Sequence, residues 1–281
     1  MKDINLRIRS IKSTKQITKA MELVAGSKLT KAKELIERSR LFHGEAYAAM
    51  CDIIARNIDT SSVFLNSREI KKTCFVVIGG DRGLAGGYNS NVFRFFDEQR
   101  NGKQVSVLPI GKRTTEYAKR LGFEIVTEEY AVIENLNVGS CHEIGNLLTE
   151  CFLKGEFDEL YVIYTNFISV LSQQPSIMKL LPLDSSISEK HETKNVKKEF
   201  IMFEPSSSTV FDAIVPGYVS GMLWGGVCES LASEFGARRT AMESATRNAE
   251  DMIDDLSLKY NRARQGSITQ EITEIVAGSG L

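Results

Sequence analysis

The sequence predicts an α/β fold: a long antiparallel coiled coil of N- and C-terminal helices with a central α/β domain. Three observations point there. The five prolines, Pro109, Pro175, Pro182, Pro205 and Pro216, leave the first 108 residues and everything after 216 free of proline. Apolar residues recur at spacings of three and four at both ends. Between the ends, short β-rich runs alternate with helical patterns.

Proline in a helix interior costs about 3 kcal/mol, so its absence permits long helices at both ends. In the first, Ile4, Ile8, Ile11, Thr14, Ile17, Met21 and Val24 form one stripe, carried on less regularly by Ala32, Leu35, Ile36, Phe42, Met50, Ile53 and Ile54. One helix over 3–58 would be about 80 Å long at 1.5 Å per residue. Gly26 and Gly44 weaken it locally without ending it.

The C-terminal part repeats the design. Met242, Ala245, Ala249, Met252, Leu256, Tyr260 and Ala263 follow the three-four alternation, and Ile268, Ile272 and Ile275 resume it after a phase shift near Gly266. This helix is expected to begin near Ser207, to cross Pro216 with room for a kink, and to end near Gly278. Two narrow stripes are best buried against each other as an antiparallel coiled coil; two separate helices lying across a globular core is the alternative.

Thr73 to Ile78 reads as a buried parallel strand, with 104–110 and 160–164 similar. Residues 91–99, 112–121 and 140–154 read as the intervening helices. The alternation implies a Rossmann-like layer with right-handed crossovers. Residues 165–183 read as another strand with a loop, 185–198 as a polar loop, and 200–203 as a last strand. The expected domains are thus 1–60 and 205–281 for the coiled-coil helices and 70–203 for the α/β domain.

The 281 residues carry a formal net charge of −1, with 42% hydrophobic and 25% charged residues. That is ordinary globular composition, and it argues against a nucleic-acid binder working by bulk charge. No apolar run reaches the roughly 18 residues of a membrane helix; the nearest, 213–228, holds Pro216 and four glycines. The start MKDINLRIRSIKS lacks the apolar block of a secretory signal. Cys51, Cys74, Cys141, Cys151 and Cys228 are scattered and form no C-x-x-C pair, which fits a reducing compartment. His43, His142 and His191 stand in no ligand spacing. No nucleophile–base–orienter pattern is present, so catalysis by this chain is not expected, nor is a cofactor.

Some local motifs remain. Gly79 to Asn89 follows a strand and precedes a helix, where α/β proteins hold phosphates, but its glycines match neither G-x-G-x-x-G nor the Walker spacing. It reads equally as a tight loop with Asp81 and Arg82 as surface or partner contacts. Arg7, Arg9, Lys12, Lys15, Lys19, Lys28, Lys31 and Lys33 make the first helix basic, as a solvated face or as one presented to acidic loops. Arg262, Gln265, Thr269 and Thr273 share a face of the last helix, with Arg264 beside them; guanidinium and amide groups suit switchable hydrogen bonds to carboxylates. The uncharged end after Glu274 is either a frayed tail or a docked one. Gly217, Gly221 and Gly225 fall on one helical face, for close approach of a neighbour or as a weak stretch.

Three segments carry a resemblance to a known family: Ser13-Thr-Lys-Gln-Ile-Thr-Lys-Ala-Met-Glu-Leu-Val24, Asp81-Arg-Gly-Leu-Ala-Gly-Gly-Tyr-Asn89, and Tyr260-Asn-Arg-Ala-Arg-Gln-Gly-Ser-Ile-Thr-Gln-Glu-Ile-Thr-Glu-Ile275. They resemble the signature blocks of the gamma subunits of F-type ATP synthases, in the same order and essentially end to end. The resemblance implies a non-catalytic rotor. Its coiled coil would stand in a hexameric ring of alpha and beta subunits, and its α/β domain near the epsilon subunit and the membrane ring of c subunits. The implied location is peripheral, on the cytoplasmic face of the cell membrane, without direct lipid insertion and without nucleic-acid partners.

By matching motif position, the resemblance implies partner contacts at Arg262, Arg264 and Gln265, with Lys19 and Met21 near the same level on the opposing helix. Thr269, Gln270 and Thr273 would lie on the polar face close by, and 275–281 at the tip in an apolar sleeve. Asp81 and Arg82 belong to the α/β domain. The chain departs from the family pattern at Ala85, commonly cysteine, and at Arg239, Glu243 and Arg247, commonly methionine, lysine and aspartate. It is also richer in glycine over 217–226, where a locally looser helix is expected.

Overall fold

The computed structural model describes residues 1–55, 62–66, 68–183, 204 and 206–278, excepting the side chains of 41–49 and 51–55. The expected loop at 185–198 and strand at 200–203 lie outside the described residues. So do His191 and the side chains of His43 and Cys51.

The elements are α1 (Lys2–Ala55), β1 (Thr73–Ile78), α2 (Tyr88–Gln99), β2 (Val105–Ile110), α3 (Lys112–Arg120), β3 (Glu124–Ile125), a 3-10 turn (Ile133–Asn135), α4 (Val138–Lys154), β4 (Glu159–Phe167), β5 (Gln173–Leu181) and α5 (Ser207–Gly278). Contacts divide the chain into two compact units. One combines Met1–Ser27 with Arg238–Leu281, and the other is Lys28–Ala237.

Within Lys28–Ala237 the sheet order is β3-β2-β1-β4-β5. β1 to β4 are parallel neighbours, and β5 closes the edge antiparallel to β4. The sequence reading missed the two-residue β3, too short for an alternation to register. The strand with a loop read over 165–183 is present. There β4 continues to Phe167, a turn follows, and β5 returns. Ser169 and Ser172 close that turn by exchanging backbone hydrogen bonds of 2.9 and 3.2 Å.

Every residue of β1 is buried, because both faces are covered. Cys74, Val76 and Ile78 pack with Leu108, Ile110, Leu160 and Val162 against α4 and the portions of α1 and α5 in this unit. Phe75 and Val77 point to the other face, with Val107 and Ile163, against Val92, Phe96 and Ala118 of α2 and α3. The period of two along the strand thus sorts the side chains between two cores.

The early part of α5 belongs to the first core. Phe211, Val215, Val219, Leu223 and Val227 are fully buried. Burying each is worth about 1.5–3 kcal/mol. One 18-residue window of α5 is apolar enough to cross a membrane by composition, but 61% of it is buried inside the fold. The stretch 217–226, where a looser helix is expected, lies mostly inside the first core. The helix continues through Pro216, and Gly226 is set against Ile78 and Tyr164.

Gly226 makes one close approach of the kind read into the glycines of α5, while Gly217 has nothing within 4 Å; another close approach is made by Gly145 of α4. A Cβ at Gly145 would lie 2.2 Å from Ser220 Oγ and 3.0 Å from the Pro216 carbonyl oxygen. Ser220 Oγ itself donates to that carbonyl at 2.6 Å, so it has little freedom to withdraw. Gly145→Ala is therefore expected to destabilise the chain by about 1–3 kcal/mol through overpacking. Urea denaturation checks this; an unchanged midpoint would mean the helices have room to part.

Candidate functional site

In the unit formed by Met1–Ser27 and Arg238–Leu281, α1 and α5 run antiparallel. Lys15 Nζ meets Glu250 Oε1 at 2.9 Å, and Thr246 Oγ1 donates to Thr18 Oγ1 at 2.8 Å. Gly26 lies beside the stem of Arg239, where an added Cβ would be 3.9 Å from Cδ. Each step back along α1 is matched by one step forward along α5.

On α1 the covered positions are Ile4, Ile8, Ile11, Lys15, Thr18, Glu22 and Ala25, a strict four-three alternation, with Met21 beside them. The stripe read from the sequence departs from this after Ile11. Thr14 is exposed, as are Ile17 at 58% and Val24 at 57%. The reason is the period. Stepping 11, 14, 17 advances by three each time and drifts off a seam that recurs every 3.5 residues. The true seam takes the polar Lys15, Thr18 and Glu22 instead, which an apolar search passes over. On α5, Met242, Ala245, Ala249, Leu256 and Tyr260 hold the seam as read, but Ile253 replaces Met252, which is 56% exposed.

The register corrects one expectation. Lys19 and Met21 stand level with the neighbourhood of residue 246, not with Arg262. The gap along α5 is some 16 residues, about 24 Å. Lys19 is exposed and pairs along its own helix with Glu22 at 3.0 Å; Met21 is half-buried. The first residues of α1 reach the level of residues 261–264, so α5 runs on from there as a single helix.

That single stretch carries most of the candidate contacts. Arg262, Arg264, Gln265, Thr269, Gln270 and Thr273 are all exposed. The hydroxyls of Thr269 and Thr273 donate to the carbonyls four residues back, Gln265 and Thr269, at 2.9 and 2.7 Å. Gln270 donates to Glu274 at 2.9 Å. Ile268, Ile272, Ile275 and Val276 are exposed too, at 42, 55, 70 and 64%. The phase-shifted isoleucines therefore face outward rather than into a seam. Of the apolar tip, 275–278 is described and 279–281 is not.

Glu243 and Arg247, two of the expected departures, pair with each other at 3.4 Å. An exposed pair four residues apart is worth a few tenths of a kcal/mol. The exposed Ile17, Leu23, Val24, Met252 and Leu258 are further contact candidates that the sequence reading did not name as such.

Asp81 and Arg82 sit in the other unit, in the loop after β1. Asp81 has a local occupation: its carboxylate accepts the backbone N–H groups of Lys112, Ile133 and Glu134 at 3.2, 3.1 and 3.3 Å. It thereby ties the loop to the start of α3 and to the 3-10 turn. Arg82 is exposed, and its carbonyl accepts from Asn89 Nδ2 at 3.3 Å.

The loop does not offer a phosphate cradle. The Gly80 N–H is taken by Asn89 Oδ1 at 2.9 Å. A Cβ on Gly80 would lie 2.7 Å from the Glu234 carboxylate of α5. An anion there would crowd that carboxyl group, and the Gly80 N–H is already in use. Burial pushes the thiols of Cys74, Cys141 and Cys228 up to about 12 and that of Cys151 up to about 11, which leaves them un-ionised and poor nucleophiles. Among the described residues no group of three His, Cys, Asp or Glu is set to hold a metal ion.

Two outcomes follow from these geometries. Asp81→Ala leaves backbone donors without their acceptor and is expected to cost about 1–3 kcal/mol, read as a lowered denaturation midpoint. Glu250 is held below the ordinary carboxylate range by its hydrogen bond and ion pair with Lys15. A carboxyl lowered in the folded chain contributes stability above its unfolded value and loses it as pH falls through the folded one. Glu250→Gln should therefore lower Tm slightly at neutral pH and low salt, and the gap should close below about pH 4. A gap that persists in acid would exclude the ion pair as its source.

Comparison with known proteins agrees with this architecture. A sequence profile described as ATP synthase matches residues 1–280. The ATP synthase gamma chain of Alkaliphilus metalliredigens is 43% identical over 99% of this chain and 97% of its own length. A gamma chain of Acetobacterium woodii, named sodium ion specific, is 40% identical with the same coverages. In fold, the chain is similar to one from the central stalk and c-ring of the Tetrahymena thermophila mitochondrial ATP synthase (TM-score 0.61, 24% identity, covering 82% of this chain and 99% of that one). It is also similar to one from the Euglena gracilis mitochondrial ATP synthase (TM-score 0.64, 17% identity, covering 98% and 92%). The chain belongs to the ATP synthase gamma-chain family.

Proposed function

We propose that this chain turns as the central-stalk rotor of an F-type ATP synthase and couples ion flow in the membrane sector to ATP synthesis and hydrolysis on the beta subunits. A gamma chain is a subunit of ATP synthase and not the catalytic one. Its work is mechanical, and its partners are the alpha and beta subunits of the hexameric ring, the epsilon subunit and the ring of c subunits. Its place is peripheral, at the cytoplasmic face of the cell membrane, and it reaches the membrane through the c ring rather than by insertion.

The observation that carries this reading is the stretch of α5 beyond the start of α1. It is a helix with a polar face at Arg262, Arg264, Gln265, Thr269, Gln270 and Thr273, and exposed isoleucines beside it. An apolar face left open by its own chain is a surface for another. Chemically identical catalytic sites take different affinities only if a third body contacts them differently. An eccentric helix with unlike faces makes such contacts. They must also break at every step, which favours exposed ion pairs and hydrogen bonds of about 1 kcal/mol or less. Lys19 and Met21 serve a second contact level. Arg82 serves the domain's own partners, in a loop whose shape Asp81 maintains.

Reconstitution tests the reading. Adding this chain to purified alpha and beta homologues should raise their ATPase activity, and no gain would sink it. Arg264→Ala with Gln265→Ala should leave assembly intact and lower turnover under load. Unchanged turnover in the assembled complex would remove these residues from the contact.

A further inference from the structure

Strand β4 outlasts its neighbour. Its ladder with β1 ends at Ile163, opposite Val77, yet the strand runs on to Phe167. Along that edge the backbone groups of Thr165 and Phe167 meet no strand. Side chains of α5 stand in for one. The Thr165 N–H donates to Ser230 Oγ at 3.1 Å, and the Thr165 carbonyl accepts from Ser233 Oγ at 3.1 Å. The Phe167 N–H donates to one oxygen of Glu229 at 2.8 Å. The other oxygen of Glu229 accepts Nε and Nη2 of Arg40, on α1, at 2.9 and 2.7 Å. Ser230 and Ser233 are fully buried and Glu229 is 7% exposed. One turn of α5 is thereby bonded to the sheet and to α1 at once.

We propose that Ser230, Ser233, Glu229 and Arg40, closed on residues 165–167, form the rotary lock of this chain. They are positioning residues that hold α1 and α5 in fixed angular register on the α/β domain, so that torque applied to the domain turns the helices instead of slipping past them. This rests on the rotor reading. Elsewhere α5 meets the sheet through Phe211, Val215, Val219, Leu223 and Val227. Apolar contact is non-directional, so it resists separation far better than it resists sliding or rotation. Hydrogen bonds to a strand edge are directional and in register. Turning α5 by a fraction of a step would strand buried backbone groups that have no water to replace their partners. α1 and α5 are also the helices that carry Lys15 and Glu250.

The test uses the complete complex in inverted membrane vesicles, with ATP hydrolysis and ATP-driven ion uptake measured together. Ser230→Ala with Ser233→Ala should leave hydrolysis near the parent level while ions moved per ATP fall. The slipped population should rise by about tenfold for each 1.4 kcal/mol of register lost. If that variant does not assemble, Glu229→Gln decides. It keeps an acceptor for the Phe167 N–H and removes the charge opposite Arg40, and a smaller fall in the same ratio is expected. An unchanged ratio in an assembled complex carrying either variant overturns the lock. A parent complex that hydrolyses ATP without moving ions would overturn the rotor reading itself, and the lock with it.

Discussion

Two helices remain in contact only while their contacting residues recur every 3.5 positions, and the paired unit follows from that constraint. The alternation through Ile4, Ile8, Ile11, Lys15, Thr18, Glu22 and Ala25 sets which side of α1 is hidden. It thereby sets which residues are free to meet a partner. Lys12 and Lys19 look outward, as do Ile17, Leu23 and Val24. The polar positions inside the seam add register to adhesion: the Thr18–Thr246 hydrogen bond and the Lys15–Glu250 pair each specify one alignment, which apolar side chains alone would leave open to slippage.

The same two helices serve a second environment with a different pattern. From Tyr218 to Phe235, α5 is buried on nearly every side, with apolar residues and a few bonded polar ones. From Arg238 onward it is buried along one stripe only. Breadth of the apolar surface is what distinguishes a core helix from half of a pair. It also accounts for a helix that is apolar enough for a membrane by composition while being spent on a protein interior.

The loop after β1 shows how tertiary packing settles a motif. It occupies the carboxyl end of a parallel strand at a reversal of strand order, where α/β sheets commonly bind ligands. Here α5 lies across that position and presents Glu234 to Gly80. Asp81 is engaged with backbone N–H groups of the neighbouring turns. The glycines serve the approach of protein to protein. At this position the loop is a fastening between sheet and helix.

Much of this was legible in the residues. Missing prolines and three-four spacing announced both long helices, including the start of α5 at Ser207. Runs such as Thr73 to Ile78 announced the parallel strands, because local propensity and periodicity are written along the chain. What depends on distant residues was not. The alignment of α1 with α5, and hence the separation of Lys19 and Met21 from Arg262, follows from pairings more than 200 positions apart, Thr18 with Thr246 and Lys15 with Glu250. The packing of 217–226 depends on Gly145 in another helix, and the role of Ser230, Ser233 and Glu229 on where β1 stops. A period can be read from one helix alone; a register exists only between two, and only the folded chain supplies the second.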